Sequence, residues 1–178
     1  MNKNLKNHYQ NVIIYDLITK LNFKNIFEIP KINKICLNIG FKNSNIEKKK
    51  LTTIIVLLKL ITNQQPVVTK SKKNNILLKI KKGSIIGCKV TLRKNNLYFF
   101  LEKFLIFILP NINDIHFNIK NKNMLNFQIK NILDFFELKT EFLKFREMPP
   151  IDVSIHTNSK NSKHLFSLLN YFYIIKNK

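Results

Sequence analysis

Leu5, Tyr9, Val12, Ile13, Leu17 and Leu21 recur at helical spacing and predict a helix over 5–21. After Pro30 the rhythm changes to a period of two. Ile35, Leu37 and Ile39 alternate with Lys34, Cys36 and Asn38, which predicts a strand ended by Gly40. Lys34 and Asn38 then lie on the face away from the core. The run from Ser44 to Glu47 has the form of a capping box. The helix it opens is expected to bury Ile54, Ile55, Leu58 and Ile61, and Asn63 closes it. A short strand is expected over 66–70, a polar and basic loop over 71–75, and a resumed strand over 76–81. Lys82-Gly83 makes a turn, and a returning strand runs over 85–93. In that strand Ile86, Cys88, Val90 and Leu92 share one face, and Gly87, Lys89, Thr91 and Arg93 share the other.

The later half continues the mixture. Asn95 or Asn96 is expected to cap a helix over 97–109, which Pro110 follows. Ile115, Phe117 and Ile119 alternate, as do Leu125, Phe127 and Ile129, which predicts a hairpin. Residues 132–145 read equally as helix or irregular structure. Pro149-Pro150 breaks the chain before a strand through Ile151, Val153 and Ile155. Ser159 or Ser162 opens a last helix with Leu165, Leu168, Leu169 and Phe172 inward. Strands and helices mix without strict alternation, so the fold class is α+β. No repeat or long linker divides the chain, so 1–178 reads as a single domain. It has a basic half, 1–94, and a completing half, 95–178.

Charge changes the picture. The formal net charge is +21, from 31 Lys and Arg against 10 Asp and Glu. Residues 64–93 carry Lys70, Lys72, Lys73, Lys79, Lys81, Lys82, Lys89 and Arg93 among apolar residues, and no acid at all. Up to Lys94 the acids are Asp16, Glu28 and Glu47; the others come later. A charged tail would lack the apolar partners, so this is a folded segment that holds out a positive field. A polyanion relieves the self-repulsion, and release of its counterions drives association. Nucleic acid is the first candidate partner and an anionic membrane the second. Ala and Trp are absent, and Arg93 and Arg146 are the arginines. That bias is what A+T-rich codons produce, and it leaves Lys to meet phosphate as a point charge.

Catalysis finds no support. There is no Gly-rich phosphate loop, no carboxylate pair, no H-E-x-x-H and no nucleophile elbow, and the chain has only 3 glycines. Cys36 and Cys88 have no metal spacing. His8, His116, His156 and His164 are scattered, and His116 and His156 read as surface or packing residues rather than ligands. No catalytic residue, metal or cofactor is expected. The most apolar window, 97–109, is broken by Glu102 and Lys103 and is shorter than the roughly 20 residues of a membrane span. The rival reading is a general basic adaptor that binds RNA or anionic membrane non-specifically. That reading calls for a helix with a basic face opposite an apolar one, whereas the charge here sits on strands and a hairpin.

If the strands of Asn38 and Thr91 share a sheet, Lys34, Asn38, Lys89, Thr91 and Arg93 form one polar and basic surface. No aromatic residue belongs to it. Recognition by shape, phosphate and 2′-hydroxyl contacts is then expected, rather than stacking on unpaired bases.

IPKINKICLNIG at 29–40, QQPVVTKSKK at 64–73 and IKKGSIIGCKVTLR at 80–93 resemble the signature segments of a universal family, the fifth protein of the large ribosomal subunit. LEKFLIFILPNINDI at 101–115 and PIDVSIHTNSKNSKHLFSLL at 150–169 resemble its later segments in order, so the resemblance covers nearly the whole chain. It implies an antiparallel sheet with helices packed on one face and a protruding basic hairpin. It also implies a non-catalytic constituent of the central protuberance that binds 5S rRNA beside large-subunit rRNA and neighbouring proteins. By resemblance Asn38, Gln64 and Thr91 make the central 5S rRNA contacts, with Lys34, Lys89 and Arg93 around them. The hairpin that carries Lys70, Lys72, Lys73, Lys79, Lys81 and Lys82 matches the family's arm toward P-site tRNA. The later half would join a bridge to a small-subunit head protein. Two departures stand out: 110–124 lacks the glycines of the family's loop, and Lys replaces many arginines. The match begins near residue 1, which together with the composition leads to an expectation of a protein made inside an organelle and resident in the mitochondrial ribosome of the matrix. A plastid or an A+T-rich bacterial cytoplasm is the alternative.

Overall fold

The computed structural model describes residues 4–21, 23, 25–41, 48–111, 117–120, 123–139, 141–146, 148–172 and 174. Six strands pair in the order β2-β3-β1-β6-β5-β4. They are β1 (Ile32–Gly40), β2 (Val67–Lys70), β3 (Ile85–Leu92), β4 (Asn118–Lys120), β5 (Met124–Ile129) and β6 (Ile151–Thr157). The sheet is antiparallel and helices pack around it, an α+β fold. The chain forms two compact units. One comprises Met1–Ile35, Arg93–Phe127 and Ser154–Lys178, and the other Cys36–Leu92 and Gln128–Val153.

In the first unit, α1 (Asn4–His8) and α2 (Ile14–Leu21) are joined by a π-helical segment, Tyr9–Ile13. The widened turn brings Tyr9, Ile13 and Leu17 into line on the buried side. It also turns Val12 outward, 42% exposed, where a regular helical period placed it inward. The Tyr9 hydroxyl donates to the Pro30 carbonyl over 3.2 Å, and its ring stacks on Phe172. The next helix, α4 (Lys94–Lys103), begins three residues before the start expected at Leu97. Asn95 and Asn96 therefore lie inside its first turn rather than at its cap, and Asn95 instead accepts a bond from the Lys6 ammonium, 3.2 Å. A π-helical segment, Phe104–Ile108, and a 3₁₀ turn, Leu109–Asn111, that includes Pro110 complete this run. The last helix of the unit (Ser162–Tyr171) buries Leu165, Leu168 and Leu169, and Phe172 just after it, as the spacing predicts.

In the second unit, α3 (Lys48–Thr62) buries Ile54, Leu57, Leu58 and Ile61, while Ile55 is only half-buried. The capping box lies outside the described residues, as does Ile115 of the expected hairpin. Asn63 ends α3 with φ of 53°, the left-handed conformation that Asn tolerates. Residues 132–145 resolve into a 3₁₀ turn, Ile132–Asp134, and two short helices, α5 (Phe136–Lys139) and α6 (Phe142–Phe145), around buried Phe135 and Phe145.

The expected strand over 76–81 is absent. Residues 76–79 form a turn closed by reciprocal backbone bonds between Asn75 and Ile80, 2.8 and 2.9 Å. The Asn75 side chain accepts from the Leu78 N–H, 3.2 Å, and Lys79 takes φ of 52°. The apolar residues of this run are consecutive rather than alternating, and no core lies beside them. Ile76 and Leu77 are accordingly 91% and 94% exposed.

Candidate nucleic-acid interface

β1 and β3 are bridged at two points in the second unit. The Phe41 N–H donates to the Ile86 carbonyl over 2.9 Å, and the Cys36 thiol lies 3.9 Å from the Thr91 hydroxyl. Numbers rise along β1 as they fall along β3, so the pair is antiparallel and its register sets Asn38 opposite Lys89. The parity of burial agrees: Leu37 and Ile39 are fully buried, as is Leu92, with Val90 close to it. Cys36, Asn38, Lys89 and Thr91 therefore share the other face. Asn38 and Lys89 are exposed there, while Cys36 and Thr91 are half-buried.

β2 extends this face. Val67 pairs with Lys89 and Thr69 with Gly87. Gly87 has no alternative at its position, because a β-carbon there would overlap the Ile39 carbonyl oxygen. Gln64 stands in the short link from α3 to β2. Its N–H donates to the Thr62 hydroxyl, 3.3 Å, which itself donates to the Leu58 carbonyl, 2.6 Å. Helix end and β2 start are thereby held together, with Gln64 half-buried between them.

The remaining cations fall into two groups. Lys70, Lys72, Lys73, Lys79, Lys81 and Lys82 are all exposed along the hairpin. Its stem is held by two bonds at Ser71: its N–H donates to the Ser84 carbonyl, and its carbonyl accepts from the Gly83 N–H, each 2.9 Å. Asn74 accepts from the Lys82 N–H, 2.6 Å, so the lysines ride on an ordered arm and not a loose loop. Lys34 and Arg93 belong to the first unit. Arg93 is exposed in extended backbone immediately before α4. Lys34 is half-buried, close enough to His156 on β6 for its charge to depress the imidazole's proton affinity. His156, read from the sequence as a surface or packing residue, is half-buried and alternates with buried Val153 and Ile155. Burial also pushes the Cys88 thiol upward, in keeping with an inert core cysteine.

Among the described residues no group of three His, Cys, Asp or Glu side chains is placed to hold a metal, and no helix is long and apolar enough to cross a membrane. The arrangement offers polar donors, cations and bare backbone on a sheet face, which suits a phosphate-rich partner.

The profile of the family described as Ribosomal protein L5 matches residues 25–81, and that of the ribosomal L5P family C-terminus matches 85–174. The chain belongs to the ribosomal protein L5 family. It is 41% identical over 178 residues to large ribosomal subunit protein uL5m of Reclinomonas americana, covering 98% of each chain. It is 37% identical to uL5 of Ehrlichia canis, with 94% of this chain and 96% of that one covered, and 33% identical to uL5 of Wolbachia pipientis, with 92% and 93% covered. An L5 protein is a structural constituent of the large ribosomal subunit and not an enzyme, and its partners are rRNA and the ribosome. The basic sheet face and arm are in keeping with that setting.

Proposed function

We propose that this chain anchors 5S rRNA in the central protuberance of the large subunit through the face shared by β1, β2 and β3. The observation that carries the reading is the Cys36–Thr91 contact, which puts Asn38, Lys89 and Thr91 on one face. Asn38, Gln64 and Thr91 discriminate by hydrogen bonds, while Lys34, Lys89 and Arg93 meet phosphates. The arm with Lys70, Lys72, Lys73, Lys79, Lys81 and Lys82 reaches toward P-site tRNA. The exposed Phe136, Phe142 and Leu143 with Glu141 support a contact between the later half and a small-subunit head protein. Likeness to uL5m and the A+T-type composition support residence in the mitochondrial ribosome.

Competition binding at physiological salt tests the central claim. Purified protein is expected to prefer 5S rRNA to an unrelated RNA of similar length. Equal affinity for both overturns it. Recovery of the tagged protein in the large-subunit fraction of purified mitochondria tests the location, and its exclusion from that fraction overturns it.

A further inference from the structure

The beginning of β1 is tied to the end of β6 within the first unit. The Asn158 backbone N–H donates to the Lys31 carbonyl, 3.2 Å, and the Asn158 side-chain oxygen accepts from the Lys31 N–H, 2.6 Å. Its amide also donates to the Ile29 carbonyl, 3.3 Å. Ile35 and Ile155 are fully buried. Their sequence neighbours Lys34 and His156 therefore turn to the opposite side, and both are half-buried. Burial first, and the Lys34 charge second, hold the imidazole below its ordinary value. A neutral imidazole beside a partly desolvated ammonium is a pair that an arriving anion completes. The anion screens Lys34 from His156 and favours the imidazolium, which then donates a charge-assisted bond.

We infer that Lys34 and His156 form a phosphate-binding contact for RNA in which His156 takes up a proton as the phosphodiester docks. The inference rests on the RNA reading above and adds His156, in the first unit with Lys34, to the residues that resemblance marks. Among the described residues, Lys34 on β1 is the charged group that acts on His156. From β5 the residues of the same parity, Met124 and Asn126, carry no charge. On β6 itself Asp152 is the remaining ionisable group, and it accepts a bond from the Gln128 amide, 2.9 Å. A phosphate rather than a carboxylate-bearing protein is favoured by the net charge of +21.

Calorimetry of 5S rRNA binding near neutral pH, in two buffers of different ionisation enthalpy, reads the proton directly. Wild-type protein is expected to take up a fraction of a proton. Its affinity should fall by up to about tenfold between about pH 6 and about pH 8, the range in which imidazole titrates. His156→Gln should lose both the uptake and the pH dependence, while His164→Gln should retain them. An NMR titration of His156 in wild-type protein needs no variant, and its midpoint should rise when RNA is bound. Uptake that persists in His156→Gln, or a His156 midpoint that RNA leaves unmoved, overturns the inference. Failure to prefer 5S rRNA over unrelated RNA would sink the 5S reading instead. Uptake dependent on His156 with either RNA would still support the phosphate contact.

Discussion

The carbonyl oxygen of Ile39 occupies the space that a β-carbon on Gly87 would need. The obstacle is backbone on the neighbouring strand, which cannot rotate aside as a side chain can. Gly87→Ala is expected to destabilise the fold by roughly 1–3 kcal/mol. It should also weaken RNA binding, since β1 and β3 must separate between Asn38 and Thr91. Gly40→Ala is the control: nothing lies within 4 Å of its β-carbon, and its cost should stay within about 0.5 kcal/mol. Urea denaturation of both variants decides this, and equal midpoints would contradict the clash.

Lys89 and Thr91 lie on the same face but should fail differently. On the proposed docking Lys89→Ala would remove one phosphate contact, so it should weaken binding to every RNA alike. It should also reduce the log–log salt slope by about 0.7–0.9. Asn38→Val and Thr91→Val remove no charge and should leave that slope unchanged. Each should cost roughly 1–3 kcal/mol against 5S rRNA by stranding a partner's polar group. Titrations at several salt concentrations separate the two, and wild-type binding by both Val variants would move the RNA elsewhere.

The two cysteines lie on opposite faces of the sheet. Cys36 is half-buried beside Thr91, whereas Cys88 is 0% exposed and its thiol is pushed up by burial. A thiol-alkylating reagent should modify Cys36 in the free protein and spare Cys88 until the protein unfolds. Bound 5S rRNA should protect Cys36. Mass spectrometry of the alkylated peptides reads this, and undiminished labelling of Cys36 in the complex would count against the docking face.

Tyr9 links the first helical run to Pro30. Burial, then the neighbouring Tyr98, raises its phenol well above the ordinary value of 10.0. The folded state thus retains the proton where the unfolded chain releases it. This contribution is intact below about pH 10 and is lost as pH rises above it. Tyr9→Phe should lower stability by about 1 kcal/mol at neutral pH through loss of the bond to Pro30. It should also flatten the alkaline decline without altering RNA affinity. A stability profile from neutral to alkaline pH tests both parts.

The hairpin tip should exchange its amides quickly in the free protein at Ile76 and Leu77, which lie exposed in the turn between Asn75 and Ile80. Asn75→Ala, which removes the acceptor for the Leu78 N–H, should loosen the tip further and leave global stability within about 0.5 kcal/mol of wild type. Strong protection at these positions by hydrogen exchange would show that the tip packs on something.

Much of this was legible from alternation alone. A period of two needs no tertiary information to assign Asn38 and Thr91 to the faces opposite Leu37 and Val90, because successive side chains on a strand must point to opposite sides. The terminal helix was equally plain, since the spacing of Leu165, Leu168, Leu169 and Phe172 allows one buried stripe. The tip at 76–81 misled because a run of consecutive apolar residues carries no period, and only the absence of a core beside it made a turn the outcome. Val12 misled because a π-helical turn shifts the helical phase, and that shift follows from how the helix packs. The charge, the polar faces of β1 and β3 and the family were all readable from the residues in order. Which strands are neighbours, and hence that Thr91 meets Cys36, was decided by tertiary structure. Strand pairing is made by backbone groups that every residue carries alike, so no side-chain pattern along one strand names its partner.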